Sequence, residues 1–408
     1  MGDIEQRMSA LTPEQRELLE LRLRRKGLQT PRAAAPGAAV GEEGDAAPAP
    51  EAEEAGAWKS SQAAKRVRFS LYFFSDDGSK ASDDKYRLVL ESARFADAHG
   101  FSAVWTPERH FQDFGGLYPN PSVLSAALAM ITERVQIRAG SCALPLHHPV
   151  RVAEEWSVVD NLSKGRAAVS FASGWHPDDF VFAPGAYEER KEVMFRGIEL
   201  IQRLWAGETL TMHGVGDAEV EVKLLPRPVQ PSLPVWVTSA GNPETWERAA
   251  AIGANVLCAL IGYAPEDLAA RIDLYRRSRA AAGLDPAAGV VSVMAHTFVG
   301  ADNAAVRRRV RAPFSNYLRT YFKQYEKNRV DPGSMTEADK EALASAAFEH
   351  YFETSALMGT QGKCARLVEQ LAALGADEVA CLVDFGVETD AVLEGLHYLN
   401  ELREHFDR

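Results

Sequence analysis

Thr106-Pro107-Glu108-Arg109-His110-Phe111 sets a carboxylate, a guanidinium and an imidazole on consecutive residues beside an aromatic ring. An imidazole titrates near neutrality, so His110 is a candidate general acid or base; Glu108 could orient it, and Arg109 could stabilise an anionic oxygen. The alternatives are a solvated loop in which Glu108 and Arg109 pair, and a His110 that holds a structural hydrogen bond. A second group is Ser173-Gly174-Trp175-His176-Pro177-Asp178-Asp179-Phe180. Gly174 lets the backbone approach a ligand there, and Trp175 offers a flat apolar wall, with His176 beside it. A third is Ser239-Ala240-Gly241-Asn242-Pro243, in which Asn242 is placed to cap a helix and Pro243 to begin it. Free N–H groups and a serine hydroxyl at such a start form an anion cradle. The competing reading is that Glu244 and Glu247 already satisfy the helix dipole.

Other chemistries find less support. Cys142, Cys258, Cys364 and Cys381 never form a CxxC pair, and the histidines form no HExxH. Zinc knuckles, redox dithiols and disulfide frameworks are therefore not expected, and no metal site is assigned. The formal net charge is −12, with 45 Lys and Arg against 57 Asp and Glu, which argues against a nucleic-acid surface. The first ten residues carry Asp3, Glu5 and Arg7 without the apolar run of a signal peptide, and no stretch approaches the ~18 apolar residues of a membrane span. Gly2 invites a myristoylation reading, but Gln6 stands where Ser or Thr is needed. A cytoplasmic protein is expected.

These groups need elements to hold them. Hydrophobic residues make up 46% of the 408 positions, enough for a sizeable core. Thr12-Pro13-Glu14-Gln15 opens a short helix with an apolar stripe at Leu18 and Leu21, so residues 1–28 form a docking-like helix, marginal alone in water. Residues 29–65 are rich in Ala, Pro, Gly and Glu and read as a flexible linker. Residues 66–408 alternate strand-like and helix-like segments. Strands are expected near Val67–Phe74, Ser102–Thr106, Val135–Ser141, Ala167–Ala172, Val235–Thr238, Asn255–Ala259, Val290–Val299 and Glu378–Asp384. Asp83 and Asp84 are expected to open the first helix of this body and Gly100 to end it; the last helix starts near Thr389. Eight βα units predict a (β/α)8 TIM barrel; an open doubly wound sheet is the rival. Thr209–Pro234 is expected to add a β-hairpin and Ala301–Gly362 extra helices.

Taken together, these stretches resemble the luciferase-like flavin monooxygenases, in the branch that accompanies natural-product assembly lines. The similarity covers most of residues 66–408. It is carried by Glu108-Arg-His-Phe111 with Phe114-Gly-Gly and Asn120-Pro121, and by the run from Ser141 through Leu-Pro-Leu-His-His-Pro-Val-Arg to Gly165-Arg166. Phe171 to Phe180, the Ser239 loop and Gly359 to Phe385 extend it. The leading helix is similar to linker helices of nonribosomal peptide synthetase modules.

The resemblance implies reduced FMN at the barrel mouth and O2 as cosubstrate, with one oxygen atom placed on an organic intermediate of nonribosomal peptide or polyketide synthesis. It implies a phosphate against Ser173, Ser239, Ala240 and Gly241 with Thr245 as a further donor, a flavin ring near Ser141 and Cys142, and Gly174 among the cofactor-binding residues. A non-proline cis peptide is implied at Ser141, Cys142 or Ala143, and Trp175 and His176 would touch substrate or ring. Bacterial luciferases carry Glu-His-His-Phe in the second-strand loop, so Arg109 replaces their catalytic first histidine and only His110 is kept. Ala172 stands for a reactive cysteine and Ser173 for a phosphate-binding arginine. Light emission is not expected, and Arg190 is the candidate for the missing phosphate charge. A separate flavin reductase, a carrier-protein-tethered substrate, docking of the leading helix to a synthetase module, and a homodimer follow from the same resemblance. The rivals are a deazaflavin-dependent dehydrogenase, a barrel hydrolase or aldolase, and a non-catalytic flavin-binding scaffold.

Overall fold

The computed structural model describes residues 66–74, 84–113, 116–261, 263–327 and 337–407, the side chains of residues 321–344 excepted. The expected helix of residues 1–28 and the linker of residues 29–65 lie outside these described residues. Lys65–Arg408 forms one compact unit.

All eight expected strands are present and closed into a barrel. In chain order the elements are β1 (Arg68–Tyr72), α1 (Arg87–His99), β2 (Ala103–Thr106), α2 (Pro121–Ala129), β3 (Gln136–Ala143), α3 (Pro149–Ser163), β4 (Ala167–Ala172) and α4 (Arg190–Ala206). After them come β5 (Leu210–His213), β6 (Glu219–Val222), β7 (Val235–Ser239), α5 (Pro243–Ala251), β8 (Asn255–Ala259) and α6 (Pro265–Ala281). β9 (Val291–Val299), α7 (Asn303–Lys327), α8 (Glu337–Thr354), β10 (Leu357–Gly359), α9 (Gln361–Leu374), β11 (Glu378–Leu382) and α10 (Thr389–Asp407) complete the body. Parallel pairing runs β11-β1-β2-β3-β4-β7-β8, and β9 joins β8 to β11, so no barrel strand is left as an edge and the open-sheet rival fails. These strands are buried on both faces, which is why they appear in the sequence as apolar runs.

The two expected insertions are also there. β5 and β6 pair antiparallel, Leu210 opposite Val222, around a turn whose Gly216 has φ 64°. α7 and α8 precede the short β10, which pairs with the last residues of β9. One expected boundary is corrected: α1 opens at Arg87 behind Tyr86, and Asp84 accepts the Arg87 N–H through its backbone carbonyl. Arg87 instead bonds Glu91 and Asp390, which fixes the first turn from its side chain. Gly100 ends the helix as expected, with φ 79°.

Inside the barrel, toward the start of the strands, Arg138 and Glu378 pair at 2.7 Å with side chains 2% and 0% exposed. Ser70, Ser102 and Ser292 donate to the same carboxylate. The guanidinium lies 4.6 Å from the Trp105 ring and 4.3 Å from the Trp236 ring, and both indoles donate to those serines. Each polar group in this plug is paired, the condition under which a buried charge is tolerated. The plug closes one end of the barrel. Chemistry is left to the rim at the other end.

Candidate active site

The loops after β2, β3, β4 and β7 all leave the C-terminal ends of parallel strands, so the barrel places them on one rim. Glu108 is its centre. Its side chain is 1% exposed; Oε1 accepts from His110 Nε2 at 2.9 Å and from His147 Nε2 at 2.5 Å, while Oε2 accepts from the Ala143 N–H at 2.7 Å. Burial alone would raise the Glu108 carboxyl. The hydrogen bonds from His110 and His147, the charge of His147 and the Ala143 amide outweigh it and hold the group below its ordinary value. His147 experiences the converse: burial would lower it, but the Glu108 hydrogen bond and the charges of Glu108 and Glu155 raise it. An ionised carboxylate only accepts, so each ring donates to it from Nε2.

Cys142 lies beside this cluster, and burial followed by the charge of Glu108 drives its thiol well above the ordinary range. The ligand atoms of Glu108, Cys142 and His147 lie within 4.8 Å of one another. The residues come from the loop after β2, the end of β3 and the turn that follows it, so spacing along the chain did not show this group. With Glu108 already hydrogen-bonded and the thiol held protonated, the cluster acts as a hydrogen-bonded unit.

Arg109 is 6% exposed, its guanidinium 4.6 Å from the Phe74 ring and 5.6 Å from the Trp175 ring. Trp175 meets His176 edge-on at 5.4 Å. His176 is 4% exposed, and neither ring nitrogen makes a hydrogen bond; Asp178 and Asp179 stand 3.8 and 4.0 Å away. Burial raises the Asp179 carboxyl against the lowering charges of His176, His110 and Arg109. Glu108, His110, His147 and Cys142 thus form one group and Arg109, Trp175 and His176 another, and the Asp179 carboxyl feels charges from both.

The peptide between Gly140 and Ser141 is cis, at the place the sequence comparison implied. Gly140 has no room for a side chain: a Cβ would meet the Tyr72 ring at 2.8 Å and Trp105 at 3.0 Å, and the Tyr72 hydroxyl donates to the Gly140 carbonyl. The Ser141 hydroxyl shares a hydrogen bond with Thr238, which is 2.7 Å from that of Ser170, so three strands present a row of hydroxyls.

The cradle at the end of β7 combines several features that suit an anion. Ser239 is buried and its Oγ accepts the Gly241 N–H at 3.4 Å. Asn242 is the N-cap of α5 but makes no side-chain cap bond; Pro243 carries no N–H and the Thr245 amide bonds the Asn242 carbonyl at 3.2 Å, so within the first turn the Glu244 amide is the donor left to a ligand. Glu244 lies 4.0 Å from Lys191 and from Arg248, turned toward α4. Gly241 has φ 107°, and a Cβ there would lie 3.4 Å from the Tyr263 hydroxyl, itself buried without a partner. Arg271 donates from Nε to the Gly241 carbonyl at 3.0 Å. These donors fit a phosphate-bearing cofactor. Ala240 is exposed and Thr245 buried within the same turn region. Gly174, φ 74°, packs on Phe180, with Ser173 beside it. Phe180 meets Tyr187 at 4.9 Å, and Arg190 lies 4.6 Å over Tyr187 while donating to its carbonyl. Arg190 is thereby tied to the Gly174 loop through two rings. Tyr263, Arg271 and Thr238 carried no local motif, and His147 stood in the Leu-Pro-Leu-His-His-Pro run without being given a role.

A cavity of about 710 Å³ lies elsewhere, lined by Arg66, Ser102, Gly289 and Asp377 at the N-terminal ends of the strands. Its Arg66 and Arg403 both pair with Asp407, and it lies at the opposite end of the strands from the rim.

A family model described as luciferase-like monooxygenase matches residues 65–378. The oxygenase component of the flavin-dependent trigonelline monooxygenase of Acinetobacter baylyi is 26% identical over 358 residues, covering 83% of this chain and 96% of that protein. Among solved structures, monooxygenase RslO1 from Streptomyces bottropensis superposes with a TM-score of 0.70 at 24% identity, covering 83% of this chain and all of that one (100%). The oxygenating constituent of 3,6-diketocamphane monooxygenase from Pseudomonas putida, in complex with FMN, gives 0.66 at 16% over 83% and 98%. An F420-dependent secondary alcohol dehydrogenase gives 0.61 at 16% over 82% and 99%.

Proposed function

The chain belongs to the luciferase-like monooxygenase family, and from that premise we propose that it hydroxylates an organic intermediate with reduced FMN and O2. The observation that carries the reading is the Glu108–His110 contact at the same rim as the phosphate-suited cradle at Ser239–Gly241. Bound reduced FMN supplies the electron pair with which O2 gives one oxygen atom to substrate and the other to water. Ser239, Gly241, the start of α5 and Tyr263 hold the phosphate end, with Ser173, Gly174, Ala240, Thr245 and Arg190 as the neighbouring candidates. Ser141 and Cys142 lie where the ring would pass. Glu108 fixes the His110 ring so that Nδ1 is free to take or return a proton. Arg109, held between Phe74 and Trp175, keeps a positive charge at the rim where anionic oxygen is formed. Trp175 and His176 wall the substrate side and exclude water.

A relative named as an oxygenase component supports delivery of reduced flavin by a separate reductase. A natural-product substrate, carrier-tethered and reached through residues 1–28, is part of this proposal. Deleting residues 1–57 is expected to slow turnover of a carrier-bound substrate more than of the free one; equal rates would remove the docking role. Anaerobic titration with FMNH2 followed by mixing with O2 tests the core of it. Tight binding and oxygen consumption coupled to product are expected, with His110→Ala lowering coupling by about 10²-fold or more. Unchanged coupling would displace His110.

The structural likeness to an F420-dependent dehydrogenase supports a second reading, hydride transfer to a deazaflavin on the same barrel. Turnover without O2 and preferential binding of the deazaflavin would establish it.

A further inference from the structure

The loop after β2 and the turn after β4 meet in a triangle of rings formed by His110 with Phe111 and Phe182, and the functions assigned above leave the two phenylalanines unused. His110 lies 5.6 Å from Phe111 and 4.9 Å from Phe182, and the two phenylalanine rings stand 5.5 Å apart at 32°. The His110 side chain is 7% exposed, whereas Phe111 and Phe182 are 60% and 54% exposed. Neighbouring Val181 is 67% exposed. Phe111 also holds φ 56°, a backbone conformation that bulky residues rarely adopt and that persists where the surroundings impose it. Two large rings kept open to water beside a proton-accepting imidazole gain nothing from the core. Their use lies in what covers them.

We propose, resting on the monooxygenase reading, that Phe111 and Phe182 bind the substrate and that this substrate is a planar aromatic ring system bearing a phenolic hydroxyl. The tilted, closely spaced rings offer offset and edge contacts, which stabilise an aromatic partner beyond the area it buries; an alkyl chain would gain from area alone. The rings converge on His110, whose Nδ1 takes the phenolic proton and leaves the ring electron-rich for attack on oxygen. In the balanced reaction one ring C–H becomes C–OH, the second oxygen atom leaves as water, and two electrons and two hydrogens come from the reduced flavin. The proton held by His110 returns to the product.

The test uses the purified full chain with 2-naphthol and decanal as probes, read by calorimetry. Wild type is expected to bind 2-naphthol more tightly than decanal. Phe182→Ala and Phe111→Gly are expected to weaken 2-naphthol by about tenfold or more and to leave decanal within about twofold, with Phe182→Leu between them. Equal wild-type affinity for the two probes, or 2-naphthol binding that survives Phe182→Ala unchanged, overturns the assignment. Light scattering on the same samples covers the other occupant: Phe182→Ala that dissociates a dimer and keeps its naphthol affinity gives the patch to a second copy, and also overturns it. A parallel FMN titration keeps the two readings apart. Wild type that binds FMN but not 2-naphthol sinks the substrate class alone; wild type that binds 2-naphthol but not FMN sinks the flavin reading alone.

Discussion

Glu108 and His147 stabilise each other within a pH window set by their opposite shifts. His147 is raised above 6.5, so its share of stability is complete below that value and is lost as pH rises through the folded-state pKa. Glu108 is lowered below 4.5, so its share is present above that value and is lost as pH falls through the folded-state pKa. Urea unfolding of Glu108→Gln is therefore expected to show lower stability than wild type near pH 6 and a flatter profile from there to pH 9. A parallel wild-type and variant profile would break the pairing. His296 behaves differently. It is 2% exposed, its Nε2 has no partner, and rings of Phe314, Tyr317 and Phe385 surround it; burial lowers its pKa to about 3. Its neutral form suits the folded state above 6.5, and stability is lost as pH falls from there toward 3, with a limiting slope of about 1.4 kcal/mol per pH unit. His296→Phe removes a polar atom from an aromatic cage and is expected to gain about 1–3 kcal/mol at pH 5. A loss at that pH would mean that the ring makes a bond needed for folding. At this scale the sequence showed Glu108 and His110, because two positions apart on one loop is a local fact. His147 lies 39 positions from Glu108, and only the fold brings it there.

The elements were legible to the extent that burial writes a pattern. Strands covered on both faces appear as short apolar runs, and Gly100 and Pro243 marked a helix end and a helix start. The start of α1 was not legible, because Arg87 is held by side chains of Glu91 and Asp390, the latter more than 300 positions away in the chain. Nor was the polar plug, whose Arg138 and Glu378 belong to strands read as apolar. The plug predicts its own energetics. Arg138→Met leaves Glu378 and three serine hydroxyls buried without the charge that balances them, and is expected to cost about 3–5 kcal/mol in urea unfolding. Arg138→Met combined with Glu378→Gln is expected to recover more than half of that loss, since neither charge then remains unpaired. A double variant as unstable as the single one would show that the strands need the ion pair itself for their register.

The outer layer of the barrel carries a surface that the core does not explain. α2 and α3 pack against each other, and Val123 on α2, Met130 at its C-cap, and Val158 and Leu162 on α3 are 69%, 68%, 44% and 40% exposed. Exposed apolar side chains are ordinary singly, but four on two helices that pack together are a candidate for a site of association. The homodimer expected from the family resemblance needs a patch that meets its own copy across a two-fold axis, which a pair of adjacent helices supplies. Sequence periodicity alone could not show it, because these positions fall outside the buried stripe of each helix and read as isolated surface residues. The pair Val158→Lys and Leu162→Lys places like charges on both sides of such a contact. It is expected to convert a dimer of the purified chain to monomer in light scattering at micromolar concentration, with the thermal midpoint of the barrel shifted by only a few degrees. A wild-type chain that is monomeric under those conditions, or a lysine variant of unchanged mass, would take the dimer away from this face.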